Sequence, residues 1–191
     1  MMARPGTRVL AVAVVAGLSS HSHPSLAADE SGMPGAACRA RADYRRLDFW
    51  LGHWGVYEGE KFSGINTIEP VVSGCAVLES WVERDGHVGS SWFYFDPILA
   101  LWKQVWITDQ AWRLGGTKEK TEAPGTREGH IRFQGVLVDA QGKRTLDRTT
   151  LDRNPDGTVR QLIEWSVDEG ASWRAVFDAR YAPRSTDRHP R

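Results

Sequence analysis

One acidic residue, Glu79, stands in a strongly apolar segment beside Cys75, Leu78 and Trp81. If its side chain points into the interior, loss of solvation raises the pKa of the carboxyl group. Such a group either transfers protons or anchors a basic ligand. Because buried charges are usually paired, an ion pair with an arginine is the commoner role. The candidate partners are Arg113, Arg148 and Arg160.

The nine tryptophans form the second candidate group. Trp102 and Trp106 are in phase with period two, so they share one face of a strand. This pattern predicts either an aromatic pocket for a flat or apolar ligand, or a filled core whose indole N–H groups bond to the backbone. For the pocket, the predicted ligand-binding residues are Glu79, Trp81, Trp92, Gln104, Trp106 and Trp165.

The sequence offers little for metal, haem or covalent chemistry. The chain after residue 27 contains neither an HExxH nor a His-x-His spacing, so we predict no metal. It also lacks a Gly-x-Ser-x-Gly motif and a glycine-rich phosphate loop. A haem ligand would have to come from His189 in a polar tail, and we predict no cofactor. Glu79 is the single candidate catalytic residue.

Short runs with period two, rich in β-branched and aromatic residues, recur along most of the chain. Turn sequences such as Asp85-Gly86 and Gln141-Gly142 separate them, and connections this short join neighbouring antiparallel strands. Closing such a meander removes its edges, so we predict an all-β fold with a single antiparallel up-and-down β-barrel. A β-sandwich is the alternative. The predicted strands are 53–58, 65–72, 75–83, 88–95, 101–108, 111–117, 131–138, 144–151, 159–167 and 173–181.

The N-terminal residues have the parts of a secretory signal peptide. Arg4 and Arg8 precede an uncharged apolar run over 9–18, and small residues lead to Ala27. The run is shorter than the roughly 20 residues that span a bilayer. We predict a signal peptide at 1–27, a leader with a short helical segment at 28–47, the barrel at 48–183 and a disordered tail at 184–191. The predicted location is the periplasm or the cell exterior.

The charge balance gives no sign of a polyanionic partner. The chain has 24 basic and 24 acidic residues, and residues 1–27 contain two of the basic ones and no acidic one, so the remainder carries about −2. A basic patch of the kind that binds nucleic acid or an anionic membrane is missing. We therefore predict neither as a partner.

Cys38 and Cys75 are the two cysteines of the chain. In an oxidising compartment such a pair tends to form a disulfide. No CxxC spacing or nearby histidine favours a metal or redox site instead. We predict a structural disulfide between them.

The start of the first strand, Gly52-x-Trp54, resembles the opening of the lipocalin and fatty-acid-binding (calycin) barrels. The resemblance implies that Trp54 closes one barrel end beneath an arginine from the last strand, either Arg174 or Arg180. The whole of the chain after residue 27 resembles a bacterial family of exported lipocalin-like domains that has no assigned activity. That likeness rests on Phe49-Trp50-Leu51-Gly52-x-Trp54, Asn66-x-Ile68-Glu69, Gly74-Cys75-Ala76-x-Leu78-Glu79-x-Trp81, Tyr94-x-Asp96-Pro97, Trp102-x-Gln104-x-Trp106 and Asn154-x-Asp156-Gly157-x-Val159-Arg160-Gln161.

These observations predict an exported protein that binds a small hydrophobic or aromatic molecule inside its barrel. Two alternatives stay open: an isomerase or hydrolase that uses Glu79 as acid or base, and a structural or interaction barrel with a filled interior. A barrel of eight to ten strands permits either an open or a filled interior.

Overall fold

The computed structural model describes residues 36–111, 116 and 118–184, and these form a closed antiparallel barrel of ten strands. The predicted signal peptide, the leader up to residue 35 and the tail from residue 185 lie outside the described residues. Each strand pairs with its neighbours in the chain, and β1 pairs with β10 to close the barrel. The strands are β1 Gly52–Glu58, β2 Lys61–Val71, β3 Ala76–Glu83, β4 Val88–Asp96, β5 Leu101–Thr108, β6 Lys118–Glu122, β7 His130–Val138, β8 Arg144–Arg153, β9 Val159–Ser166 and β10 Arg174–Pro183.

The predicted up-and-down barrel is confirmed, and one of its ten strands was misplaced. The expected strand over 111–117 is wrong, because Ala111 lies in a turn, Gly116 lies in a bend, and β6 begins at Lys118. The sequence of β6, Lys-Glu-Lys-Thr-Glu, carries no apolar face. It is a strand because it pairs with β5 and β7 on both sides, with polar side chains directed inward.

The hairpin turns are held by side chains that bond to their own backbone. Between β8 and β9, the Asp156 carboxylate accepts bonds from the Thr158 N–H and hydroxyl, at 2.9 and 2.6 Å. Gly157 has φ of 82°, a left-handed conformation that glycine adopts without strain. Between β9 and β10, Asp168 accepts bonds from the N–H and the hydroxyl of Ser172. These turns fix the register of the strands that they join.

A short helical segment precedes the barrel and packs against one of its ends. It consists of an α-helix, Ala36–Ala40, and two 3-10 helices, Ala42–Arg45 and Asp48–Trp50. The predicted disulfide is present, and it ties Cys38 to Cys75 after a third 3-10 helix, Val72–Gly74. A cross-link over 37 residues stabilises the fold by roughly 4 kcal/mol in the chain-entropy model.

The barrel end next to this segment, called the closed end, is filled by the aromatic side chains Trp50, Trp54, Phe93, Trp102 and Phe133, which are almost fully buried. Trp50 meets Phe93 edge to face at 5.5 Å between ring centres. The indole N–H groups of Trp54 and Trp102 donate to backbone carbonyls of Trp50 and Asp43, each at 2.9 Å. At this end the interior is a packed core.

Neither candidate arginine of the last strand covers Trp54 as expected from the resemblance. Arg180 is paired with Tyr57 across β1 and β10, and its guanidinium carbon lies 5.3 Å from the centre of that ring on the outer face. Arg174 begins β10 at the other end of the barrel. Among the described residues, Trp54 has its edge-to-face ring contact with Tyr181.

Candidate functional site

The barrel end opposite the closed end contains a cavity of about 290 Å³. Its deeper part is lined by a layer of polar side chains, called the polar tier: Glu79, Gln104, Lys120, Thr149, Gln161 and Tyr181. Its outer part, called the mouth, is lined by Trp81, Trp106, Trp165, Phe177, Glu58, Glu83 and Lys118, among others. The volume suits about one small ligand and lies near the lower limit for pockets that bind drug-sized molecules.

Aromatic side chains form the walls of the mouth because they occupy inward positions near strand ends. Trp81, Trp106 and Trp165 come late in β3, β5 and β9. Gly89 gives Trp106 its room, since a Cβ atom there would collide with the indole ring. Lys118 places its ammonium 5.5 Å from the centre of the Trp165 ring. The walls therefore offer flat apolar surface to a ligand.

Glu79 lies at the centre of a hydrogen-bonded network in the polar tier. Its carboxylate accepts a bond from the Asn66 amide at 2.7 Å and another from Ser91. Burial raises the pKa of Glu79, and the Ser91 and Asn66 bonds and the charge of Lys120 act against that rise. The Tyr181 hydroxyl donates to Gln161 at 2.6 Å, and burial raises the pKa of Tyr181 well above its usual value.

The expected ion pair between Glu79 and an arginine is wrong for the candidates that the structure describes. Arg148 bonds to Glu164 and Arg160 to Asp178, each at 2.7 Å. Both arginines alternate with inward residues of their strands and so project from the outer face. Arg113 lies outside the described residues. Amide and hydroxyl donors take the place of the arginine around Glu79.

A buried charged cluster in the polar tier was not predicted from the sequence. The Lys120 ammonium donates to Asp147 at 2.8 Å and to Thr149 at 2.6 Å. Lys118, two residues away on the same face of β6, places its ammonium 3.6 Å from the other oxygen of Asp147. Burial lowers the pKa of Lys120 to about 8, and the attraction of Asp147 opposes this change. The period-two spacing of Lys118 and Lys120 was the one feature of the sequence that could have indicated two lysines on the same face of a strand.

Five of the six predicted ligand-binding residues line the cavity: Glu79, Trp81, Gln104, Trp106 and Trp165. Trp92 does not line it. It is 43% exposed on the outer face, because it alternates with Ser91 and Phe93, which are fully buried. β4 has aromatic residues on both faces, so residue type alone did not tell which aromatic side chains point into the barrel and which point outward.

Two buried polar atoms on the cavity wall have no hydrogen-bond partner among the described residues. One is the carbonyl oxygen of Gln104, whose side-chain N–H donates to Ser91 at 3.1 Å. The other is the indole N–H of Trp165. Because buried polar atoms are normally paired, these two favour a ligand with both a hydrogen-bond donor and an acceptor.

The histidines of the barrel lie outside this site. His53, His87 and His130 bond to Thr67, Asp109 and Asp152 respectively. Within the described ranges, no group of three or more histidine, cysteine or acidic side chains has an arrangement that could hold a metal ion. No described helix has the length and apolar character needed to span a membrane.

Neither a model of a known protein family nor a curated protein matches this chain. The resemblance to exported lipocalin-like domains therefore stays a prediction. The cavity can hold a flat molecule against the indole rings of its mouth. The amide, hydroxyl, carboxyl and amine groups of the polar tier can then bond to a polar group of that molecule.

Replacing Glu79 with Gln is expected to reduce the loss of stability that accompanies rising pH. A carboxyl group whose pKa is raised by folding stabilises the fold below its unfolded pKa of about 4.5, and this contribution is lost as pH rises through the folded pKa. The neutral amide cannot ionise. Urea unfolding between about pH 5 and 8 should therefore show a flatter stability profile for Glu79→Gln than for the wild type, and equal profiles would contradict the burial of an ionising Glu79.

Proposed function

We propose that this protein is an exported binding protein whose barrel holds one small molecule with an aromatic or apolar body and a polar group. The observation that carries the proposal is the cavity itself. Its mouth has indole walls, and its deeper part has a hydrogen-bonding tier. A barrel filled along its whole length would leave no such space, so a purely structural role is disfavoured.

The polar tier supports a ligand with a polar group, rather than a hydrocarbon. Gln104 is 5% exposed, and its carbonyl oxygen is one of the two unpaired atoms on the wall. A ligand N–H or O–H that reached this oxygen would satisfy it, and the Trp165 indole would donate to a ligand oxygen. A neutral amide with an N–H group, or an alcohol, has both groups when it also carries an aromatic ring, whereas a simple aldehyde or ketone supplies the acceptor alone.

Export is supported by two further observations. The N-terminal residues have the composition of a signal peptide, and the chain has a disulfide between its two cysteines. Disulfides persist mainly in oxidising compartments such as the bacterial periplasm. A binding protein there meets small molecules before they enter the cell. Membership of the exported lipocalin-like family is part of the same proposal.

The experiment compares Trp106→Ala with Trp92→Ala, which remove the same side chain from the inner and the outer face. Calorimetric titration with the tightest binder from a panel of small aromatic amides and alcohols should show affinity about 10-fold weaker, or about 1.4 kcal/mol, for Trp106→Ala. Trp92→Ala should bind like the wild type. An equal loss in both variants, or no binder in the panel, would overturn the proposal.

A second candidate is an enzyme in which Glu79 transfers a proton to or from the bound molecule. The observation in its favour is a carboxyl group in a cavity with a raised pKa. Glu79→Gln separates the two functions. In a binding protein it changes affinity alone, whereas in an enzyme it abolishes conversion of a compound that still binds.

A further inference from the structure

Lys120 is an amine held inside the cavity rather than on the protein surface. Its side chain is 3% exposed, and its strand position directs it into the polar tier. The other described lysines differ in this respect. Lys118 lies at the mouth with 11% exposure, Lys103 bonds to Asp96 with 26% exposure, and Lys61 and Lys143 are exposed.

The bonds of Lys120 are those that a neutral amine can keep. A neutral amine has two N–H groups and one lone pair, and Lys120 has two acceptors, Asp147 and Thr149. With both N–H groups donated, the lone pair occupies a direction that neither partner uses. The charged groups around the nitrogen are Asp147 from β8, Lys118 from β6 and Glu79 from β3.

We propose that Lys120 forms an imine with the carbonyl carbon of a small aromatic aldehyde bound in the cavity. The proposal rests on the proposed binding function and deepens it, since it assigns the polar group of the ligand to an aldehyde. The mouth would hold the ring between Trp81, Trp106 and Trp165, and the carbonyl group would enter the polar tier.

The chemistry needs only the amine and the aldehyde. The ammonium first loses a proton to water, and the nitrogen lone pair then bonds to the carbonyl carbon as the C=O π bond breaks. One of the two N–H protons passes to the carbonyl oxygen and gives a carbinolamine. The C–O bond then breaks, the hydroxyl group leaves as water with the remaining N–H proton, and the C=N bond forms. Water is the single by-product, and no oxidant or reductant takes part.

Desolvation prepares Lys120 for this reaction. Its pKa of about 8 leaves about one tenth of the amine neutral at pH 7. An ordinary lysine, with a pKa near 10.4, is neutral in roughly 0.04% of molecules at that pH. The reactive fraction of Lys120 therefore exceeds that of an ordinary lysine on the order of 100-fold.

The experiment treats the full chain with benzaldehyde and sodium cyanoborohydride at neutral pH, which reduces any imine to a stable benzyl amine, and maps the modified lysines by peptide mass spectrometry. The expected result is benzylation of Lys120, on the order of 100-fold faster than that of the exposed Lys61. Lys143→Arg, at an exposed lysine outside the cavity, should keep this labelling, and Lys120→Arg should lose it. Preferential labelling of Lys118, or equal labelling of all lysines, would overturn the proposal.

Binding of benzyl alcohol, measured by calorimetry on the same protein, separates this proposal from the binding function. Benzyl alcohol has the same ring but no carbonyl group. If it binds and Lys120 stays unlabelled by benzaldehyde, the imine proposal fails and the binding function stands. If neither compound binds and Lys120 is unlabelled, both fail. Labelling of Lys120 is read from the peptide map of the wild-type protein, so this test does not depend on the folding of a variant.

Discussion

Replacing Asp147 with Asn is expected to lower the free energy of unfolding by about 3–5 kcal/mol, the usual cost of removing one partner of a buried ion pair. Asp147 has no exposed surface, and its carboxylate is the anion that faces the ammonium groups of both Lys120 and Lys118. Asparagine keeps the shape of the side chain but not its charge. Two lysines would then face each other inside the barrel, with Glu79 as the remaining acidic group near Lys120.

Asp178→Asn is the matched control for this prediction. Asp178 pairs with Arg160 at 2.7 Å, but both side chains are about half exposed on the outer face. Exposed pairs contribute about 0–1 kcal/mol, so the control should unfold close to the wild type in urea. If the two variants lost the same free energy, the cluster around Asp147 would not be the buried ion pair described here.

Replacing Trp50 with Ala is expected to cost about 3–5 kcal/mol of unfolding free energy, through loss of packing at the closed end. Trp50 has no exposed surface and makes edge-to-face contacts with Phe93 and Tyr181, at 5.5 and 5.8 Å between ring centres. Its indole N–H has no partner among the described residues, so the substitution removes no hydrogen bond of that group. The loss is due to the cavity that the substitution leaves in a packed aromatic core.

Trp92→Ala serves as the control for Trp50→Ala in guanidinium unfolding. Substitutions of exposed residues usually change stability by no more than about 0.5 kcal/mol, and Trp92 projects from the outer face. The Trp50 variant should also keep the affinity of the mouth for aromatic compounds, because Trp50 does not line the cavity. Equal stability of the two variants would show that the closed end is not a packed core.

The strands and turns could be predicted from local patterns because most of the barrel alternates strongly. In β5, for example, Trp102, Gln104 and Trp106 face inward, and the predicted and observed bounds agree. β6 could not be found in this way. Its inward side chains are Lys118, Lys120 and Glu122, so hydrophobic periodicity gives no sign of a strand.

The residue types of the candidate site could be predicted from the sequence, but the hydrogen bonds and ion pairs between them could not. Glu79 and Gln104 were identified because a polar side chain in an apolar strand is unusual. The partners of Glu79 depend on the pairing of β2, β3 and β4, which brings Asn66 and Ser91 beside it. The contact between Lys120 and Asp147 joins residues 27 apart across β6, β7 and β8. Such contacts follow from strand order and register, which single-residue patterns do not encode.

The most direct test of ligand binding in the mouth is a titration followed through the tryptophan indole N–H signals in a proton–nitrogen correlation spectrum. The compounds are small aromatic amides, alcohols and aldehydes. The proposed function predicts saturable shifts of the Trp81, Trp106 and Trp165 signals, which belong to the mouth. The signals of Trp50, Trp54 and Trp102 in the closed end, and of Trp92 outside, should stay in place. Shifts confined to Trp92, or no shift with any compound, would contradict it.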